Sequence, residues 1–123
     1  MKRIVSLVMA AAMAGSAMML TSCGGGSDEK VIKIGVFEPA SGDNGAGGKQ
    51  EALGVQYANS IQNTVDINGE TYKVELISAD NESSNDKAPT AAQDLISKGA
   101  NIVLGSYGSG VSIAASDIFA KGG

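Results

Sequence analysis

The residues best suited to do chemistry lie in Gly105-Ser106-Tyr107-Gly108-Ser109-Gly110, a glycine-rich turn between the apolar run Asn101-Ile102-Val103-Leu104 and a helical pattern. Where such a turn opens a helix, unpaired backbone N–H groups and the positive end of the helix dipole converge on one spot. That arrangement suits an anion such as a carboxylate. Ser109 adds a hydroxyl that can donate to the anion. Gly108 and Gly110 let a ligand approach closely, and Tyr107 can supply an apolar wall. Two readings of Ser109 stand side by side: an anion ligand, or an ordinary cap of the helix that follows. The glycines divide in the same way, because strand–helix junctions use glycine for geometry alone. Upstream, Gly42, Gly45, Gly47 and Gly48 crowd the segment from Pro39 to Gly48. They either shape a ligand-facing surface or form a plain solvent loop.

The rest of the chain narrows the chemistry. There is no histidine and only one cysteine, Cys23, so the common acid–base and nucleophile pairs are missing and no catalysis is expected. Glu38 and Asp80 read as lone loop acids, solvated or capping. Gly45-Ala46-Gly47-Gly48-Lys49-Gln50 starts like a dinucleotide fingerprint but has Gln50 where the last glycine belongs. Asp80 follows these glycines by more than thirty residues, whereas about 20 is expected. Gly48-Lys49-Gln50 lacks the Ser or Thr of a phosphate-binding P-loop. No cofactor or metal is expected. With 13 acidic against 9 basic residues, a net charge of −4 and no basic stripe, no nucleic-acid partner is expected either.

At the N-terminus, Lys2 and Arg3 precede Ile4 to Leu20, an apolar run broken only by Ser6, Gly15 and Ser16. Charge, apolar stretch and then small residues is the layout of a secretory signal peptide. The run is short for a membrane span, which needs about 20 strongly apolar residues. Leu20-Thr21-Ser22-Cys23 resembles the lipobox of bacterial lipoproteins. A thiol is the nucleophile that can accept a diacylglyceryl group, and small residues before it let a peptidase reach the bond. The resemblance implies lipidation at Cys23 with two or three acyl chains, enough for stable anchoring. Removing the first 22 of 123 residues leaves 101, and loss of Lys2 and Arg3 moves the net charge from −4 to about −6. The expected organisation is a signal peptide over 1–22, a lipid-anchored flexible linker over 23–30 and a partial α/β lobe over 31–123.

The elements that must position the turn follow from periodicity. Val31-Ile32-Lys33-Ile34-Gly35-Val36-Phe37 reads as a buried strand. A helical period starts at Lys49 and places Leu53, Tyr57, Ala58 and Ile61 on one face. Asn68-Gly69 marks a tight turn, and Tyr72 to Ala79 is a second strand. Asp80 to Asn85 is polar loop. Ala88, Ala91, Ala92, Leu95 and Ile96 form the core face of the clearest helix, with Pro89 early and Gly99 just past its end. Asn101 to Leu104 is a third strand, and Val111, Ala114, Ala115, Ile118 and Phe119 form the face of a last helix. The order β-α-β-α-β-α predicts a Rossmann-like parallel sheet with helices on its faces. Ligands of such sheets bind beyond the carboxyl ends of the strands, where the turn at 105–110 lies.

Six stretches in order along the chain support a more specific reading. Val31 to Phe37 with Pro39-Ala40-Ser41-Gly42 and Gly47 to Gly54, then Val74 to Asp80 and Asp86 to Gly110, then Ala115 to Gly123, resemble the leucine/isoleucine/valine-type periplasmic binding proteins. The resemblance covers residues 31 to 123. It implies the N-terminal lobe of a type I periplasmic-binding fold, whose two lobes close on a ligand and deliver it to an ABC permease. It implies a small-molecule ligand, an amino acid (branched-chain ones included) or similar carboxylate, and assigns its α-carboxylate to Ser109. Gly47 falls where the family often carries an aromatic that covers the ligand; this chain departs from that pattern, and Tyr107 is left as the candidate for the role. The expected setting is the outer face of the cytoplasmic membrane, and the chain is expected to be the first part of a longer protein. A lipid-anchored sensor of the same fold and, more remotely, a lipoprotein hydrolase are the alternatives.

Overall fold

The computed structural model describes residues 29–122. The signal peptide, the lipidation of Cys23 and most of the linker lie outside the described residues. Seven elements follow in order: β1 (Val31–Val36), α1 (Gly45–Ile61), β2 (Thr64–Ile67), β3 (Glu70–Ser78), α2 (Ala88–Ser97), β4 (Ile102–Leu104) and α3 (Ser109–Gly122).

The strands form one sheet in the order β2-β3-β1-β4. β1 is central and parallel to both neighbours, with Val31 opposite Lys73 on one side and Ile34 opposite Ile102 on the other. These three are the strands the periodicity predicts. β2 is additional: it pairs antiparallel with β3 across Asn68-Gly69, making the sheet mixed. Both turn residues have positive φ, 52° and 82°, the geometry of the tightest hairpin turns. All four residues of β2 are exposed. The strand is held by backbone pairing to an edge and therefore leaves no apolar pattern to read.

Residue parity divides the two faces of the sheet. Ile77 and Val103 turn toward α2 and α3, whereas Ile34, Leu76 and Leu104 line the groove beneath α1. On the α2/α3 side lies the core: Phe37, Ala79, Ala88, Ala91, Ala92, Leu95, Val111 and Ala115, with Ala114, Ile118 and Phe119 packed against it. Both helix faces are the predicted ones. Phe37 meets Phe119 edge-on, ring centroids 5.2 Å apart, and full burial of such a side chain contributes roughly 2–3 kcal/mol.

α1 differs from its prediction in two ways. It starts at Gly45 rather than Lys49. Its inward face is Gly45, Gly48, Ala52, Val55 and Asn59, while Leu53, Tyr57 and Ile61 are 61%, 69% and 69% exposed. The large residues carry the stronger periodic signal. The small ones allow close approach: Gly45 sits beside Ala40, and Gly48 against the carbonyl and ring of Pro39. Close packing of backbone on backbone has selected the helix face here, not hydrophobicity.

Because β1, β3 and β4 are parallel, their carboxyl ends open at one rim. α1 leaves β1 on one face and α2 and α3 lie on the other, so the chain order reverses at the ends of β1 and β4. That reversal is the switch point at which open α/β sheets hold ligands.

Candidate functional site

Two polar residues after β3 tie the rim together. Asn81 is fully buried. Its Nδ2 donates to the Phe37 carbonyl at 3.0 Å and to Ser106 Oγ at 2.9 Å, and its Oδ1 accepts the Ser83 N–H at 3.1 Å. One side chain thus joins the loops following all three parallel strands. Asp80 holds the first loop. Its Oδ1 accepts the N–H groups of Ala40 and Glu82, both at 2.8 Å, and of Ser41 at 3.3 Å, while Oδ2 accepts the Ser41 hydroxyl at 2.7 Å. Partial desolvation pushes the Asp80 carboxyl up. The Ser41 hydroxyl and the Glu82, Ala40 and Ser41 amides outweigh it and hold the group below its ordinary value.

The third loop turns on Gly105, at φ +126°. A Cβ there would run into the Phe37 carbonyl and come within 2.7 Å of Glu38 Oε1. The Tyr107 N–H donates to Glu38 Oε2 at 2.8 Å. Glu38 is 8% exposed. Desolvation pushes its carboxyl up to about 7 against the pull of the Tyr107 N–H, and neighbouring Glu51 raises it further.

α3 begins at Ser109. The Gly108 carbonyl accepts the N–H groups of Val111 at 3.1 Å and Ser112 at 3.2 Å, and Ser112 Oγ accepts the Ser106 N–H at 3.0 Å. The junction contacts therefore fall to Gly108 and Ser112. Ser109 is exposed, and among the described residues its hydroxyl makes no hydrogen bond. Tyr107 is half exposed and its ring lies over Gly47: a Cβ on Gly47 would sit 2.6 Å from Cε2 and 2.9 Å from Cζ. The ring fills the space a side chain at 47 would take. Gly110 faces Asn85, whose Oδ1 lies 3.2 Å from the position of a Cβ on Gly110.

Ser109, Tyr107, Gly108, Gly110 and Gly47 thus gather at the end of β4 and the start of α1. Cys23 lies outside the described residues. Sequence reasoning passed over Asn81 and Asn85 as members of a polar loop and took Glu38 for a lone acid. One signal pointed to Asn81 and Glu38, their place just past the ends of β3 and β1. Among the described residues no three of His, Cys, Asp and Glu gather as metal donors.

Fold and rim together define an α/β lobe whose strand-end loops meet at a switch point of the sheet. The chain belongs to the periplasmic binding protein family, whose pattern matches residues 31–123. This is a family of solute-binding proteins, not of enzymes. The chain is 33% identical over 100 residues to a Leu/Ile/Val-binding protein homolog 2 of Brucella abortus, covering 80% of this chain and 26% of that protein. It superposes on the branched-chain amino acid substrate-binding protein LivJ of Streptococcus pneumoniae, in complex with isoleucine, with a TM-score of 0.65 and 28% identity over 76% of this chain and 27% of the other. A solute-binding protein of an ABC transporter from Rhodopseudomonas palustris, in complex with benzoate, matches with a TM-score of 0.59 and 28% identity over 72% and 24%. The chain spans about a quarter of the length of these relatives.

Proposed function

We propose that the chain provides the ligand-capturing first lobe of an extracytoplasmic solute-binding component of an ABC importer, with an amino acid or similar small carboxylate as its ligand. The observation that carries this reading is the start of α3, where the uncommitted Ser109 hydroxyl and the first-turn N–H groups stand at the switch point beside the Tyr107 ring. The helix N-terminus attracts a carboxylate, Ser109 donates to it, and Gly108 and Gly110 leave room for it. Tyr107 over Gly47 walls the ligand's apolar part. Relatives that bind isoleucine and benzoate share one feature of chemistry, a carboxylate beside an apolar group. The captured ligand passes to permease subunits, and acyl chains on Cys23 hold the protein at the outer face of the membrane.

Calorimetric titration of the full-length protein with isoleucine, leucine, valine and benzoate tests the ligand class. A hydroxyl–carboxylate hydrogen bond contributes about 1.5–3 kcal/mol, so Ser109→Ala is expected to weaken binding by roughly 10- to 100-fold. Unchanged affinity in that variant refutes the assignment of Ser109. Incorporation of labelled palmitate that disappears in Cys23→Ala tests the anchor.

A further inference from the structure

In the loop after β3, two consecutive residues, Glu82 and Ser83, hold φ angles of +55° and +56°. Neither is glycine, and left-handed backbone is costly for a residue that carries a Cβ. Such a conformation persists only where the surrounding contacts impose it. Here the contacts are specific. The Ser83 N–H donates to Asn81 Oδ1 at 3.1 Å and the Glu82 N–H to Asp80 Oδ1 at 2.8 Å, while the Ser84 N–H donates to the Asn81 carbonyl at 3.0 Å. The first loop closes on the turn at Gly42, itself at φ +75°. A Cβ on Gly42 would run into the Glu82 carbonyl and lie 3.1 Å from Ser83 Cβ.

This backbone sets the Ser83 hydroxyl between two groups of the first loop. Oγ donates to the Ser41 carbonyl at 3.1 Å and accepts the Asn44 N–H at 2.9 Å. Asn44 is the cap residue of α1, and its own side chain makes no capping hydrogen bond. α1 in turn carries Gly47 beneath the Tyr107 ring. On its other side the same turn reaches α3: Asn81 Nδ2 donates to Ser106 Oγ at 2.9 Å, and the Ser106 N–H donates at 3.0 Å to Ser112 Oγ in the first turn of α3. The amino ends of α1 and α3, which frame the candidate cleft, are joined through one strained turn. A relaxed turn would equally connect β3 to α2. What the left-handed pair adds is the placement of Ser83 Oγ against Asn44.

We propose that Ser83 is a positioning residue for ligand binding: its hydroxyl fixes the start of α1, and with it Gly47 under the Tyr107 ring, against Ser109 at the start of α3, at the expense of local stability. Residues held in left-handed backbone by their surroundings cluster at ligand clamps for this reason. The proposal rests on the reading of this cleft as the ligand site and adds the residue that holds its two walls together.

The test separates the hydroxyl from the strain. In the full-length protein, Ser83→Ala and Ser83→Gly both lose the hydroxyl, but only glycine is relaxed at φ +56°. Ser83→Thr keeps the hydroxyl and strains the turn further, because threonine is β-branched. The glycine variant should therefore melt above the alanine variant, and the threonine variant below the wild type. Isoleucine affinity, measured by calorimetry, should instead follow the hydroxyl: weaker by roughly fivefold to tenfold in Ser83→Ala and Ser83→Gly, and close to wild type in Ser83→Thr. Unchanged affinity in Ser83→Ala, or affinities that track melting temperature, would overturn the proposal. Nuclear magnetic resonance without ligand reads the coupling itself. The Gly47 amide and the Tyr107 ring resonances should shift in the alanine and glycine variants and hold in the threonine variant; resonances unmoved in all three overturn the proposal as well. A wild-type protein that binds no isoleucine leaves those resonances to decide the role of Ser83 and counts against the transport reading alone.

Discussion

Replacing Asn81 with alanine would break the junction of the three strand-end loops at its centre. The variant loses three hydrogen bonds of 2.9–3.1 Å and leaves the Phe37 carbonyl and the Ser83 N–H without the partner they have now. Each neutral bond contributes about 1 kcal/mol net, and a buried group left unsatisfied costs about 1–3 kcal/mol. Asn81 is fully buried, so water cannot reach in without disturbing the rim. The expected loss is about 3 kcal/mol. With a urea dependence of about 1.5 kcal/mol per molar for a domain of this size, the unfolding midpoint should fall by about 2 M. Urea titration followed by far-ultraviolet circular dichroism measures it. Asn81→Asp supplies the sign test. The introduced carboxyl keeps its acceptor for Ser83 but turns a buried charge on the Phe37 carbonyl, so its pKa rises in the folded state. Stability should then be highest at acid pH and fall as pH rises through that raised value. A midpoint change under about 0.5 M for Asn81→Ala would refute the idea that this side chain holds the rim together.

Gly48→Ala should destabilise by about 1–3 kcal/mol, although alanine favours a helix over glycine by about 1 kcal/mol. The added methyl would meet the Pro39 carbonyl and lie 2.5 Å from its ring carbons; a raised melting temperature would contradict that packing. Gly47→Ala is expected to push the exposed Tyr107 ring aside at little cost, changing stability by less than about 1 kcal/mol while shifting the ring resonances of Tyr107. Unchanged resonances would mean the ring does not rest there. Asp80→Asn should cost about 1 kcal/mol at neutral pH, since solvent screens this exposed carboxylate. The Asp80 carboxyl is held below its ordinary value of 3.8. Its contribution is therefore present above that value and lost as pH falls through the lowered one. Acid unfolding curves of the two proteins should converge at low pH, and a constant offset would sink the assignment.

The fold was more legible than the site. In α2, Ala88, Ala91, Ala92 and Leu95 announced the buried face, because only one side of that helix is apolar and it meets the sheet. In α1 the same logic picked the wrong side: Leu53, Tyr57 and Ile61 have the better period, but Gly45 and Gly48 make the closer approach. β2 left no trace because an exposed edge strand needs only backbone partners. At the rim, Ser109 and Tyr107 were readable because glycines bracket them and a helix follows. Asn81 and Glu38 were not, because their partners lie 44 and 69 residues away along the chain.

By itself the sequence determined the apolar cores of the three parallel strands, the buried faces of α2 and α3, the parallel arrangement and the turn at 105–110, since each depends on a local period or on local turn chemistry. The tertiary structure alone decided which face of α1 meets the sheet, that Tyr107 lies over Gly47, and that Asn81 and Glu38 bind the loops to one another. Those outcomes depend on distances between segments remote in sequence, which are set only when the parallel strands bring their carboxyl ends to one rim.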